Sequence, residues 1–336
     1  MTYIEQQPPY PGHDRRRLVV ILSLLFALFL AALGVFTLLI SQNRAPRVGL
    51  PGVLGSSATN KPTFDRMLAG LGRPLDVAVS PDGSRFYAAE GAGSYAVKVF
   101  DKKGAPLGDL TPPHTTNTTR QPMSVAVAPD GSVYVADRRL NQVLIFNEDG
   151  TFRDTFRPAG FGEWAPLGVA VDSSGQIYVS ETFNVLGQER HRVYVLRPDG
   201  TLVRWFGQKG GAASDLMFPG HLAIDGKDRI WVADISGVKV FGADGVYLFR
   251  LGSEGDAGVA LPGGLAYSAG KIFVTDVTNH RALVFDVSGD APVFQAQFGE
   301  LGFGKGQLRY PAGIAVSGSR IYIANRENGR IDTWTP

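Results

Sequence analysis

One pattern recurs six times between Pro74 and the C-terminus, and it restricts what this 336-residue chain can fold into more than any other feature. Each copy opens with a proline, runs through a short apolar segment and a turn, then enters a second apolar segment ending in an acid or Asn. The opening segments read LDVAVSPDG from Leu75, MSVAVAPDG from Met123, LGVAVDSSG from Leu167, GHLAIDGKD from Gly220, GGLAYSAG from Gly263 and AGIAVSGS from Ala312. The second segments FYAAE, VYVAD, IYVSE, IWVAD, IFVTD and IYIAN begin at Phe86, Val133, Ile177, Ile230, Ile272 and Ile321. A third follows in every copy, from VKVF at Val97 to IDTW at Ile331. The leading prolines Pro74, Pro122, Pro166, Pro219, Pro262 and Pro311 are 48, 44, 53, 43 and 49 residues apart. Short strands repeating at such a period are the signature of propeller blades. The sequence therefore predicts an all-β, six-bladed β-propeller over residues 63–336.

The last copy has only three strands, which would leave a sheet edge unpaired. The segment FDRML from Phe64 matches the fourth strands FRDTF from Phe152, LVRWF from Leu202 and YLFRL from Tyr247, yet it precedes the first copy. A strand at 64–68 is thus expected to complete the sixth blade and remove the edge. SPDG at Ser80 and APDG at Ala128 supply the Pro, Asp and Gly of tight turns.

Upstream lies a different physical object. Leu18 to Ile40 carries no charge, and at about 1.5 Å per residue it spans roughly 34 Å, enough for a hydrocarbon core. Its length exceeds the apolar region of a cleaved signal peptide. Arg15, Arg16 and Arg17 abut its N-terminal side, against the more dilute Arg44 and Arg47 beyond it. The positive-inside bias therefore predicts a single-pass plasma-membrane helix at 18–40, with residues 1–17 as a cytoplasmic tail and the propeller outside. Residues 41–62, rich in Gly, Pro and Ser, read as a flexible linker.

Charge and cysteine content remove several function classes. Six cations and two acids in the first 61 residues give +4, so the net +2 of the whole chain leaves −2 for the remainder. A slightly acidic domain without a basic stripe does not suit nucleic acid. The absence of cysteine excludes disulfides, thiolate metal sites and cysteine catalysis.

PLGVAVDSSGQIYVSE from Pro166, and VTDVTNHRALVFD from Val274 with Asn279, His280 and Arg281, resemble NHL repeats. That resemblance implies the six-bladed fold but no single activity, because propellers of this kind include scaffolds, ligand binders, RNA binders and a lyase. RENGRI, from Arg326 to Ile331, is similar to a blade segment of the zinc-dependent peptidyl-α-hydroxyglycine lyase. The zinc histidines implied by that likeness would directly follow the leading prolines, where this chain has Leu75, Met123, Leu167, Gly220, Gly263 and Ala312. Phe183 stands nearest the lyase tyrosine and lacks its hydroxyl, so lyase chemistry is not expected.

Departures from the repeat are the candidate functional residues. Two positions after the leading proline, three blades have Gly168, Gly264 and Gly313, whereas the others have Asp76, Ser124 and His221. These three should converge on one mouth of the channel, where they could bind a small polar ligand. Asp76 and His221 are also the residues that could hold a divalent metal, the one cofactor the sequence suggests. The strand-terminal acids Glu90, Asp137, Glu181, Asp234 and Asp276 instead read as turn-forming, because every blade repeats them.

The third blade carries an insertion, Thr182 to His191, on the same face as the loops that join successive blades. That face gathers Phe161, Trp164, Phe183, Phe218, Phe303 and Tyr310, and Trp164, Phe183 and Tyr310 are the expected ligand contacts. The sequence thus favours a membrane-anchored binding or scaffold module that takes a protein, peptide or glycan on this face. A metal-dependent hydrolase or lyase at the channel mouth is the alternative.

Overall fold

The computed structural model describes residues 61–160, 162–184, 188–251 and 258–336. Six four-stranded antiparallel sheets follow one another along the chain as the blades of a propeller. Blade 1 spans 74–110, blade 2 122–156, blade 3 166–206, blade 4 219–250 and blade 5 262–298. Blade 6 takes three strands from 311–335 and its outermost strand, Thr63–Ala69, from the start of the described chain. There Phe64 lies opposite Trp334 and Leu68 opposite Ile331, with the Phe64 ring edge-on to the Trp334 indole at 5.7 Å.

The strand patterns follow from position in the ring. Second strands such as Val133–Asp137 are buried at every residue, since both faces of the blade are covered by neighbours. Outermost strands such as Thr63–Ala69 alternate between exposed and half-buried residues, because little lies beyond them. The interior is a set of layers between adjacent blades rather than one central core. Tyr87 and Val97 meet Val125 and Val133 between blades 1 and 2, and Phe273 and Phe298 meet Ile314 and Trp334 between blades 5 and 6. Each fully buried aliphatic side chain in such a layer contributes roughly 1.5–3 kcal/mol.

The ring has two unlike ends. At one, which we call the turn face, hairpins join first to second and third to fourth strands, and Asp side chains fold them. Asp82 accepts from Ser84 N at 3.0 Å, Asp149 from Thr151 N at 2.9 Å and Asp244 from Val246 N at 3.0 Å. At the other, the loop face, lie the second-to-third-strand loops and the connections between blades. Thr63 starts its strand at the turn face, where Arg66 Nη1 donates to Lys103 O at 3.2 Å, so the chain enters the ring opposite the loop face.

Among the described residues no helix is long and apolar enough to cross a membrane. The apolar run 18–40, the tail before it and the linker through residue 60 lie outside the described residues.

Candidate functional site

The innermost strands line a channel of about 220 Å³, and Asp76, Ser124 and His221 meet at its loop-face mouth. Each projects from its strand toward the next blade. Ser124 Oγ donates to Asp76 Oδ2 at 2.6 Å, and the Val125 amide donates to the same oxygen at 3.0 Å. Asp76 Oδ1 accepts from its neighbour Val77 N at 2.9 Å. Ser124 Oγ also accepts from Val169 N of blade 3 at 3.2 Å. Across the channel, His221 Nε2 lies 3.4 Å from Asp76 Oδ1.

The glycines at the equivalent positions are required by this crowding. A Cβ on Gly313 would sit 2.1 Å from Asp76 Oδ1, and one on Gly168 would sit 2.2 Å from Gly220 O. Asp76 is therefore a clamp between blades 1 and 2, with a further reach to blade 4. Burial pulls the His221 pKa down, but the adjoining Asp76 carboxylate and a backbone contact at Gly263 outweigh it, so the net shift is upward.

This donor set does not suit a metal ion. Both Asp76 oxygens already accept hydrogen bonds, and one imidazole remains. Among the described residues no group of three or more His, Asp or Glu gathers to hold one.

The strand-terminal acids tie the incoming loops down. Asp137 accepts from the amides of Gln121, Arg139 and Leu140 at 2.9–3.0 Å. Asp234 accepts from Met217 N and Phe218 N at 2.8 and 2.7 Å. Glu90 accepts from Gly72 N at 2.8 Å, and Asn325 Oδ1 from Arg309 N at 2.8 Å. Glu181 differs, since it takes Arg190 at 3.0 Å and the Tyr194 hydroxyl instead.

On the loop face the aromatic residues divide into two kinds. Trp164 is a correction to the sequence reading: it is 1% exposed and packs edge-on against Tyr194 at 5.7 Å in the layer between blades 2 and 3. Its role is to seal that layer, for an indole on a short connection beside an inter-blade gap buries more apolar area by folding in than by facing water. Phe161 lies outside the described residues. Phe183 and Tyr310 do reach the surface. The two ends of the inserted segment are strand: Ile177–Phe183 pairs with Arg190–Leu196 out to Phe183 opposite Arg190, and residues 185–187 lie outside the described residues.

Sequence reasoning missed the partners of the surface aromatics. Arg190 lies over Phe183 at 4.1 Å, Arg309 over Phe303 at 4.4 Å, Arg139 over Tyr95 at 5.6 Å and Arg326 over Tyr310 at 5.7 Å. His280 adds an edge contact to Tyr310 at 4.7 Å. Arg139 and Tyr95 belong to different blades, so no local spacing announces that pair.

No protein-family model matches the chain, and no curated protein matches it in sequence. Similar solved structures are numerous. A streptogramin B lyase structure is 14% identical over 83% of this chain and 99% of its own, with a TM-score of 0.58. Hydrazine synthase of Kuenenia stuttgartiensis is 14% identical over 85% of this chain and 99% of its own, at 0.56. A catalytically inactive histidine variant of virginiamycin B lyase from Staphylococcus aureus, with quinupristin, is 14% identical over 82% of this chain and 100% of its own, at 0.57. At such identities the likeness establishes the propeller fold and leaves activity open.

Proposed function

We propose that the chain is a membrane-anchored, extracytoplasmic propeller of the NHL-repeat kind that acts as a binding module, holding a protein or peptide partner on its loop face. The observation that carries this reading is the set of Arg-over-aromatic pairs on that face. Arg, Tyr and other aromatic residues dominate binding hot spots, because a planar cation and a ring offer large, stiff contact areas with little conformational entropy to lose. The uncharged run 18–40 and the arginines before it support the anchor and the outward orientation. A catalytic centre at the channel mouth is disfavoured, since Asp76 spends its carboxylate on clamping blades together.

The test replaces the chain in its own host by a variant carrying Arg139→Ala, Arg309→Ala and Arg326→Ala, leaving Arg190 in place because it pairs with the buried Glu181. It should melt near the parent temperature and lose the protein that co-purifies with the parent chain. Retention of that protein would overturn the reading. A reporter active only outside the membrane, fused after Pro336, should be active, and inactivity would overturn the topology.

A further inference from the structure

The connection from blade 5 to blade 6 is a rigid knob. Glu300–Leu301 pairs in parallel with Gln307–Leu308, and the loop between them turns back on itself. Gln307 braces it from within, its Oε1 accepting from Gly304 N at 2.9 Å and its Nε2 donating to Glu300 Oε1 at 3.1 Å. Arg330, only 7% exposed, donates to the Phe303 carbonyl at 2.8 Å and the Gly304 carbonyl at 2.7 Å. Asn328 holds the Gly302 carbonyl at 3.0 Å. Gly302 has φ +155°, and a Cβ there would meet the Gln307 side chain at 2.2 Å, so the loop has little freedom to rearrange.

On this fixed support Leu301 is 61% exposed and Phe303 70% exposed. Folding gains nothing from holding two large apolar side chains in water on a loop that a buried guanidinium pins from beneath. Basic groups lie beside Phe303. Lys305 is exposed and Arg309 lies over the Phe303 ring, and among the described residues neither has a carboxylate partner. The nearby acids are committed, Glu300 to Gln307 and Glu327 to Arg73 and Arg326.

We infer that Leu301 and Phe303 form a preformed plug that inserts into an apolar pocket rimmed by Asp or Glu on a partner protein. The inference deepens the loop-face reading and rests on it. Two side chains bury too little apolar area to hold a lipid surface, whereas a rigid hydrophobic anchor with unpaired cations beside it matches a protein pocket of opposite charge.

The probe is the full chain carrying p-benzoylphenylalanine at position 303, expressed in its own host and irradiated. The result expected is one protein adduct whose crosslinked segment lies beside acidic residues. Adding Lys305→Glu and Arg309→Glu should reduce its yield roughly tenfold, as reversal of a complementary contact does. The same photoprobe at Val246, on the turn face, should give no adduct. A lipid adduct at 303, or an adduct indifferent to the charge reversal, would overturn the plug. If position 303 gives nothing while Tyr95 or Phe218 carrying the photoprobe captures a protein, the plug fails and the loop-face reading stands. Silence at all three overturns both.

Discussion

The two ends of the ring spend their carboxylates differently. On the turn face acids such as Asp82, Asp149 and Asp244 accept from backbone amides two residues on, yet remain exposed. Hydrogen bonding from Ser80 and Ser84 lowers Asp82 to about 2, so that carboxylate stays charged in its turn at ordinary pH. On the loop face the strand-terminal acids Asp137, Glu181, Asp234 and Asp276 are buried, while cations such as Arg139 and Lys305 stand exposed alongside Glu163 and Glu300. Turn formation accounts for the first pattern, because each hairpin needs its Asp. It does not account for the second. What the loop face exposes is surplus to folding, and that is where selection for recognition has room to act.

The contrast predicts large effects where either face serves the fold. Trp164→Ala on the loop face and Asp225→Ala on the turn face should each cost about 3–5 kcal/mol in denaturant unfolding. The first empties an inter-blade layer, and the second strands the buried Arg229 guanidinium, held at 2.6 Å, and the Trp231 indole N–H, held at 2.7 Å. An unfolding midpoint unchanged by Trp164→Ala would return that residue to the recognition surface.

A smaller effect should follow pH through the His221–Asp76 pair. The folded pKa of His221 lies above its free value near 6.5, so the stabilisation is fully present below about pH 6.5. It is lost as pH rises through the folded pKa. The stability gap between the parent and His221→Gln should therefore narrow on going from pH 6 to pH 9. A gap that is constant over that range would show that the pair carries no charge linkage. Smallest of all, Phe303→Ser and Arg139→Ala should each leave stability within about 0.5 kcal/mol of the parent by the same denaturant measurement, as exposed positions do.

The blades were legible because every one repeats the same proline and apolar run and ends its second strand in an acid or Asn, and burial on both faces of a blade demands the apolar part of that pattern. The meeting of Asp76, Ser124 and His221 was legible for the same reason, from equivalent positions in the repeat. Trp164 was misread, although a signal existed. Leu71, Leu216, Val259 and Leu308, three residues before their prolines, are all buried. Trp164, two residues before Pro166, fills the corresponding place in blade 3. The Arg139–Tyr95 pair was not legible, since Tyr95 belongs to blade 1 and Arg139 to blade 2 and only the packing of the two blades brings them together.

The most direct test of the loop face as the recognition surface is hydroxyl-radical footprinting of the full chain, in cells of its own host and after purification. Tyr95, Phe218, Leu301, Phe303 and Tyr310 should label several-fold less in the cell than in the purified chain, as a hot-spot core screened from water would. Leu107 and Val246, outside that face, should label equally in both. Equal labelling of the loop-face residues in the two states, or protection confined to Leu107 and Val246, would contradict the account.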